Sequence, residues 1–317
     1  MSKTYHDTSR LFQAVRIATL TLALITGIAS GAQAADDQEE FDTPEQAADA
    51  LAAAWRAGSK TELLNIFGPD AARLVSSGDD VADQTAKAKL AAEYDAQHKI
   101  ESKGERMAEL VIGKGEFPFP IPLVKEAGSW RFDTAAGEDE ILNRRVGRNE
   151  LNVIKVCRAY VEAQREYAAR EHPGKGRREY AMKLVSSAGK HDGLYWPAKT
   201  GDKESPLGPL VARAAAEGYR ATSTELLAPY HGYYYRILTR QGGAAPGGAS
   251  DYAVKGKMTK GFALVAFPAQ YGNSGVMTFL VNHDGIVFEK NLGPNTTEVA
   301  QQITEYNPDR TWKTAGQ

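Results

Sequence analysis

A chain of 317 residues with 38 basic and 40 acidic side chains carries a net charge of −2, too balanced for bulk attraction to nucleic acid. Its single cysteine, Cys157, excludes an intramolecular disulfide, so stability must come from an ordinary apolar core. Roughly 280 residues remain beyond the leader read below, more than one core commonly holds, and two domains are expected.

Lys3, Arg10 and Arg16 precede the apolar run IATLTLALITGIA, which ends in the small-residue site Ala32-Gln33-Ala34. This is the three-part pattern of a secretory signal peptide over residues 1–34, cut between Ala34 and Ala35. As a membrane anchor the run is too short, because a spanning helix needs about 20 apolar residues. No second run of that length follows. A periplasmic or secreted mature chain without a membrane span is therefore expected.

The mature chain opens on TPEQAADALAAAWRAG, with Thr43 as N-cap, Pro44 at the first helical position, Gln46 completing a capping box and Gly58 as the stop. Ser59 and Glu62 repeat this logic before Leu63, Leu64 and Phe67, and a third helix is expected from about Val81 to His98. Within SSGDD, the adjacent acids Asp79 and Asp80 read as solvated. Strands follow at RMAELVIG, IPLVKE and SWRFD, the last two joined as a hairpin across Ala127 and Gly128. Helices followed by a small antiparallel sheet make an N-terminal α+β domain, residues 35–148. Its order of elements and its closing WRFD resemble the nuclear-transport-factor-like cone fold.

The second domain, residues 149–317, opens on a helix from about Asn149 to Glu171, with Val153, Cys157, Tyr160, Gln164 and Tyr167 on one stripe. Cys157 inside that stripe reads as a core residue rather than a nucleophile. A basic, glycine-rich loop, HPGKGRREY, and a short helix in SPLGPLVARAAAEGY lead to strands at HGYYYRIL, DYAVKGK, GFALVAFP, MTFLVN and IVFEKN. Their short links imply antiparallel order. The fold class is α+β, with the long helix leaning on an antiparallel sheet. In its Asn-Glu helix start, GYYYR strand and terminal strand pair around a glycine turn, this half resembles the soluble heads of type IV pilins and pseudopilins.

Two HDG tripeptides raise the question of acid–base chemistry. His283, Asp284 and Gly285 stand between two strand-like runs, where a turn needs polar residues and then a glycine, with His283 projecting to solvent. His191 and Asp192 have no strand before them and are the candidates for a catalytic pair. No serine-hydrolase elbow, zinc-protease helix or phosphate loop is present. Convergence of His191, Asp192, His231 and His283 on a metal lacks the close spacing of a legible site, and no cofactor is implied.

Aromatic residues crowd one region: Tyr195, Trp196, Tyr219, Tyr230, Tyr233, Tyr234 and Tyr235. Tyrosine suits half-buried strands, which is one reading. In the other, Trp196, Tyr195 and Tyr233 to Tyr235, edged by His231 and Arg236, form a partly exposed shelf for an envelope glycan or another exported protein. A hydrolase acting on cell-wall or extracellular material through His191 and Asp192 is the rival to a non-enzymatic binding or assembly module.

Taken together, FDTPEQAADAL, FPFPIPLVK, WRFDTAAG, EILNRRVGRNEL, GKHDGLYWP, YHGYYYRIL and NSGVMTFLVNHDG resemble the bacterial exported family known as domain of unknown function 2950, across nearly the whole mature chain. That resemblance implies export and a shared architecture, and no catalytic residues.

Overall fold

Thr43 sets the first helix: its hydroxyl accepts the Gln46 amide at 3.2 Å, and Gly58, at φ +63, ends α1 (Pro44–Ala57). Ser59 repeats the cap for α2 (Lys60–Phe67), accepting the Glu62 amide at 3.2 Å. A single turn, α3 (Ala72–Val75), precedes α4 (Asp80–Ala96). These coordinates are a computed structural model that describes residues 38–170, 178–198, 203–219 and 228–316. The leader with its Ala34/Ala35 cut and most of the basic glycine-rich loop lie outside them. Among the described residues no helix is long and apolar enough to cross a membrane.

The sequence pattern carries α4 to His98, but there β1 (His98–Ser102) begins. Ile100 turns towards the core while Lys99 and Glu101 pair on the surface at 3.0 Å, the charged habit of an edge strand. β2 (Met107–Ile112) pairs with β1 on one side and with β3 (Phe117–Pro118) and β4 (Leu123–Glu126) on the other. Ala127 and Gly128, both at positive φ, turn β4 into β5 (Ser129–Phe132) as the strand twist requires. Leu110, Leu123 and Phe132 from this sheet, with Ile121 from the connection between β3 and β4, meet Leu51 and Ile66 from the helices to form the N-terminal core.

α5 is longer than its apolar stripe foretells, running from Thr134 to Arg170. Over its 37 residues it extends about 55 Å at 1.5 Å per residue. Leu142 belongs to the N-terminal core and α5 residues from Val153 to Tyr167 to the C-terminal one, so the boundary read at 148/149 falls inside a continuous helix. Gly137 lets the helix start close against the sheet, since a Cβ there would meet the Pro120 carbonyl oxygen at 2.6 Å. The lobes thus share a rigid strut.

After α6 (Gly208–Ala216), β6 (Tyr233–Leu238) opens the second sheet. The DYAVKGK run does not join it. It folds on itself, with β7 (Arg240–Gln241) pairing β8 (Ser250–Asp251), and β9 (Ala253–Val254) pairing β10 (Lys257–Met258) across Lys255 and Gly256, both left-handed. β11 (Ala263–Pro268), β12 (Met277–Asn282) and β13 (Val287–Asn291) continue the sheet, then α7 (Thr296–Gln301), then β14 (Lys313–Thr314). The antiparallel order is β14-β13-β12-β11-β6. α5 packs on one face and α7 against β11. Tyr235 is buried in one core with Cys157 of α5, whereas the next residue, Arg236, bonds α7, so the two helices cover opposite faces. Every residue of β11 is accordingly buried. The fold is α+β, with a long helix packed on an antiparallel sheet.

Candidate functional site

His191 and Asp192 do not act on each other. The Asp192 carboxylate accepts Lys183 Nζ at 2.8 Å, the Ser187 amide at 2.7 Å and the Ser187 hydroxyl at 3.0 Å. Lys183 first, and the Ser187 amide after it, hold the carboxyl down at about 2, far from a general acid or base for neutral pH. His191 lays its ring on Trp196, centroids 4.1 Å apart and 15° from parallel, and its carbonyl accepts the Tyr167 hydroxyl at 2.9 Å. The first HDG is a loop tied down at both ends.

The aromatic shelf is largely interior, which corrects the exposed reading. Trp196 is 6% exposed and Tyr233 0%, and Tyr235 is buried with them in the C-terminal core. Covering both faces of the sheet removes the open side that an alternating Tyr233-Tyr234-Tyr235 run would otherwise present. Tyr195 and Tyr234 stay half-buried at the margin. Arg236 donates to the carbonyls of Ala300 at 2.7 Å, Gln301 at 3.1 Å and Ile303 at 2.8 Å, closing the C-terminal end of α7. That is a structural task.

At the second HDG, the Gly285 amide donates to Asn282 O at 2.9 Å and Gly285 sits at φ +85, while the Asp284 amide donates to the Asn282 side chain at 3.1 Å. His283 does not stand out in solvent. Its ring meets Tyr252 edge-on at 5.5 Å and Phe262 at 6.1 Å, because the turn curls back over the core. Gly285→Val should therefore cost about 1 kcal/mol or more through forced positive φ, and more than His283→Ala, by equilibrium unfolding of both variants. A larger loss in His283→Ala would count against the turn as the source of the motif.

The densest polar assembly was not singled out from the sequence: it is the seam between the lobes. Asp79, 2% exposed, caps α4 by accepting the Ala82 amide at 3.0 Å. Its other oxygen accepts the Tyr219 hydroxyl and the Gly232 amide, both at 2.8 Å, from the opposite lobe. Asp79 is thus the buried member of the acid pair read as solvated. A cap position before a helical run was the available signal, but its partners are 140 and more residues away. Arg145 of α5 adds a bond to Asn273 and others to the carbonyls of Arg73 and Leu74, and Asn273 donates to Ser76 O at 2.8 Å. Gly232 lets its turn lie against α5, since a Cβ there would meet Asn149 Nδ2 at 2.7 Å.

His231 sits at the mouth of the seam. It is half-buried and left-handed at φ +52, with Nε2 at 3.5 Å from Glu217 and its ring 4.0 Å from that of Tyr230. Burial lowers its pKa, against the pull of Glu217. Cys157 is fully buried and its thiol is pushed up to about 12, so it is no nucleophile. His191, His231 and His283 thus have separate neighbours, and among the described residues no three His, Cys, Asp or Glu side chains gather as a metal site.

Comparison with the curated proteins and with the solved structures returned no match to either. The family model described as "Protein of unknown function (DUF2950)" matches residues 38–315, from the segment before α1 to the end of the second sheet, and the chain belongs to that family.

Proposed function

We propose that the protein is an exported, non-enzymatic module that docks another envelope protein, with the helix-on-sheet lobe built like a pilin head. The observation that carries this reading is an apolar corner on the N-terminal sheet. Met107, 42% exposed, and Pro118 line a groove of about 270 Å³ floored by Phe119, Pro120 and Pro122, and Phe117, 65% exposed, comes immediately before Pro118 at the end of the groove away from Met107. Glu140 and Arg144 of α5 form the groove's far wall and bond each other at 2.6 Å, so they leave little unmatched charge. Proline and phenylalanine edges with compensated charge suit apolar polypeptide side chains, whereas a glycan needs polar forks beside its aromatic platform. The pilin-like reading is supported by α5 lying along an antiparallel sheet. A hydrolase centred on His191 and Asp192 would need a carboxylate free to move protons, and Asp192 is committed to Lys183 and Ser187.

A photo-crosslinking residue placed at Phe117 should capture a discrete envelope polypeptide in intact cells, while the same residue at Lys190, on the exposed first HDG loop, should not. The crosslinked chain's own N-terminus, when sequenced, should begin at Ala35. Equal capture at both positions, or wall-degrading activity that Asp192→Asn abolishes, would overturn the reading. An intact leader would overturn cleavage alone.

A further inference from the structure

We propose that the outward ridge of α5 is a second docking surface, shaped for an acidic amphipathic helix of a partner polypeptide that pairs with Arg148, Lys155 and Arg158 and packs an apolar side chain on Leu151. α5 turns Val153, Cys157, Tyr160 and Gln164 into the protein, so its exposed positions from Arg144 to Arg165 recur along the open side at alternating four and three spacing. The two ends of this ridge are neutral, since Arg144 bonds Glu140 at 2.6 Å and Arg165 bonds Glu162 at 2.8 Å. Its middle is not. Among the described residues Arg148 and Arg158 have no carboxylate partner, and Lys155 reaches the Asn152 side chain alone, at 3.4 Å. Lys155 and Arg158, three residues apart, repel each other on one helix face, although the chain has 40 acidic residues to place. Leu151 stands 60% exposed between Arg148 and Lys155.

Spacing and charge select the occupant. Arg148 and Lys155 lie one heptad apart, about 10.5 Å along the axis, and a helix laid along α5 returns a side chain to the contact at the same interval. An extended segment finds no backbone to pair with, because the amides and carbonyls of α5 are bonded within the helix. A lipid surface holds a helix by a broad apolar face, and the apolar face of α5 is turned into the core. Carboxylates at the facing positions complete the three ion pairs, and Leu151 adds the fixed anchor that charge attraction lacks. Arg144, at the neutral end of the ridge, is also a wall of the apolar groove, so the two surfaces are continuous. The inference rests on the reading of the protein as a docking module, and not on the groove itself.

The probe is a labelled synthetic helix of three heptads with two glutamates one heptad apart and a leucine between them on one face, and its control carries the same leucine on the opposite face. Fluorescence anisotropy with the mature chain should show binding of the first peptide, about tenfold or more tighter than the control. Leu151→Ala should weaken that binding about tenfold, and the triple variant Arg148→Gln, Lys155→Gln, Arg158→Gln by more, with unchanged urea midpoints because all four side chains are exposed. Arg148→Glu with Lys155→Glu should lose the glutamate peptide and bind its lysine counterpart. Equal binding of peptide and control, or no effect of Leu151→Ala, means unspecific charge attraction and overturns the ridge. So does binding to phosphatidylglycerol vesicles, lowered in the triple variant, without binding of the peptide. In cells, a photo-crosslinker at Leu151 should capture a segment that mass spectrometry identifies as acidic at heptad spacing. Capture at Phe117 with none at Leu151 overturns the ridge and leaves the groove, whereas an acidic segment captured at Leu151 alone upholds the ridge and removes the groove.

Discussion

Trp196→Ala should destabilise the protein by about 3–5 kcal/mol in urea unfolding, the cost of truncating a large aromatic inside a packed core. Trp196 lies in the C-terminal core with Leu194, and His191 covers its outer side. Tyr233→Ala belongs to the same class, with the further loss of its hydroxyl bond to Met277 O at 3.0 Å. Tyr195→Ala, at the margin, should cost no more than about half as much, because only part of its ring leaves water on folding. The ordering tests which way this strand of aromatics faces. If Trp196→Ala keeps wild-type stability and instead loses retention on cell-wall material, the residue is a binding platform and the burial described above is wrong in solution.

The aromatic cluster shows where the sequence was readable and where it was not. Alternation at Leu194, Tyr195 and Trp196 marks one inward side, and tyrosine in β6 marks a strand; both are local. Whether the second face of that strand meets solvent depends on α7, more than 60 residues downstream, whose C-terminal carbonyls are held by Arg236. No local pattern at Tyr233 to Arg236 reports that cover. Helix caps at Thr43 and Ser59 were legible for the opposite reason, since cap and capped amide lie three residues apart. The first half of α5 was hidden because GEDEILNRRVG carries two glycines and few apolar residues, and its helicity rests on contacts such as Gly137 against Pro120. DYAVKGK misled because a two-residue turn at Lys255 and Gly256 is as compatible with its composition as a single strand. Asp79 shares that limit: its cap role is local and its seam role is not.

Asp79→Ala should be the most damaging single polar substitution in the described chain, at about 3–5 kcal/mol, because it removes one helix cap and two bonds to a buried carboxylate at once. A cap contributes about 1 kcal/mol and each hydrogen bond to a charged group about 1.5–3 kcal/mol, together about 4–7 kcal/mol, from which the removed cost of burying the carboxylate is subtracted. Asp80→Ala, the neighbouring exposed acid in the first turn of α4, provides the control and should cost less than about 1 kcal/mol. Tyr219→Phe deletes one donor only, and the double variant with Asp79→Ala should cost less than the sum of the two, since the phenol has no carboxylate left to meet. That shortfall is the coupling across the seam. Asp79→Ala and Asp80→Ala with equal costs would mean that Asp79 serves α4 alone, and the lobes would then be joined by the α5 strut and the Arg145–Asn273 contacts without help from the carboxylate.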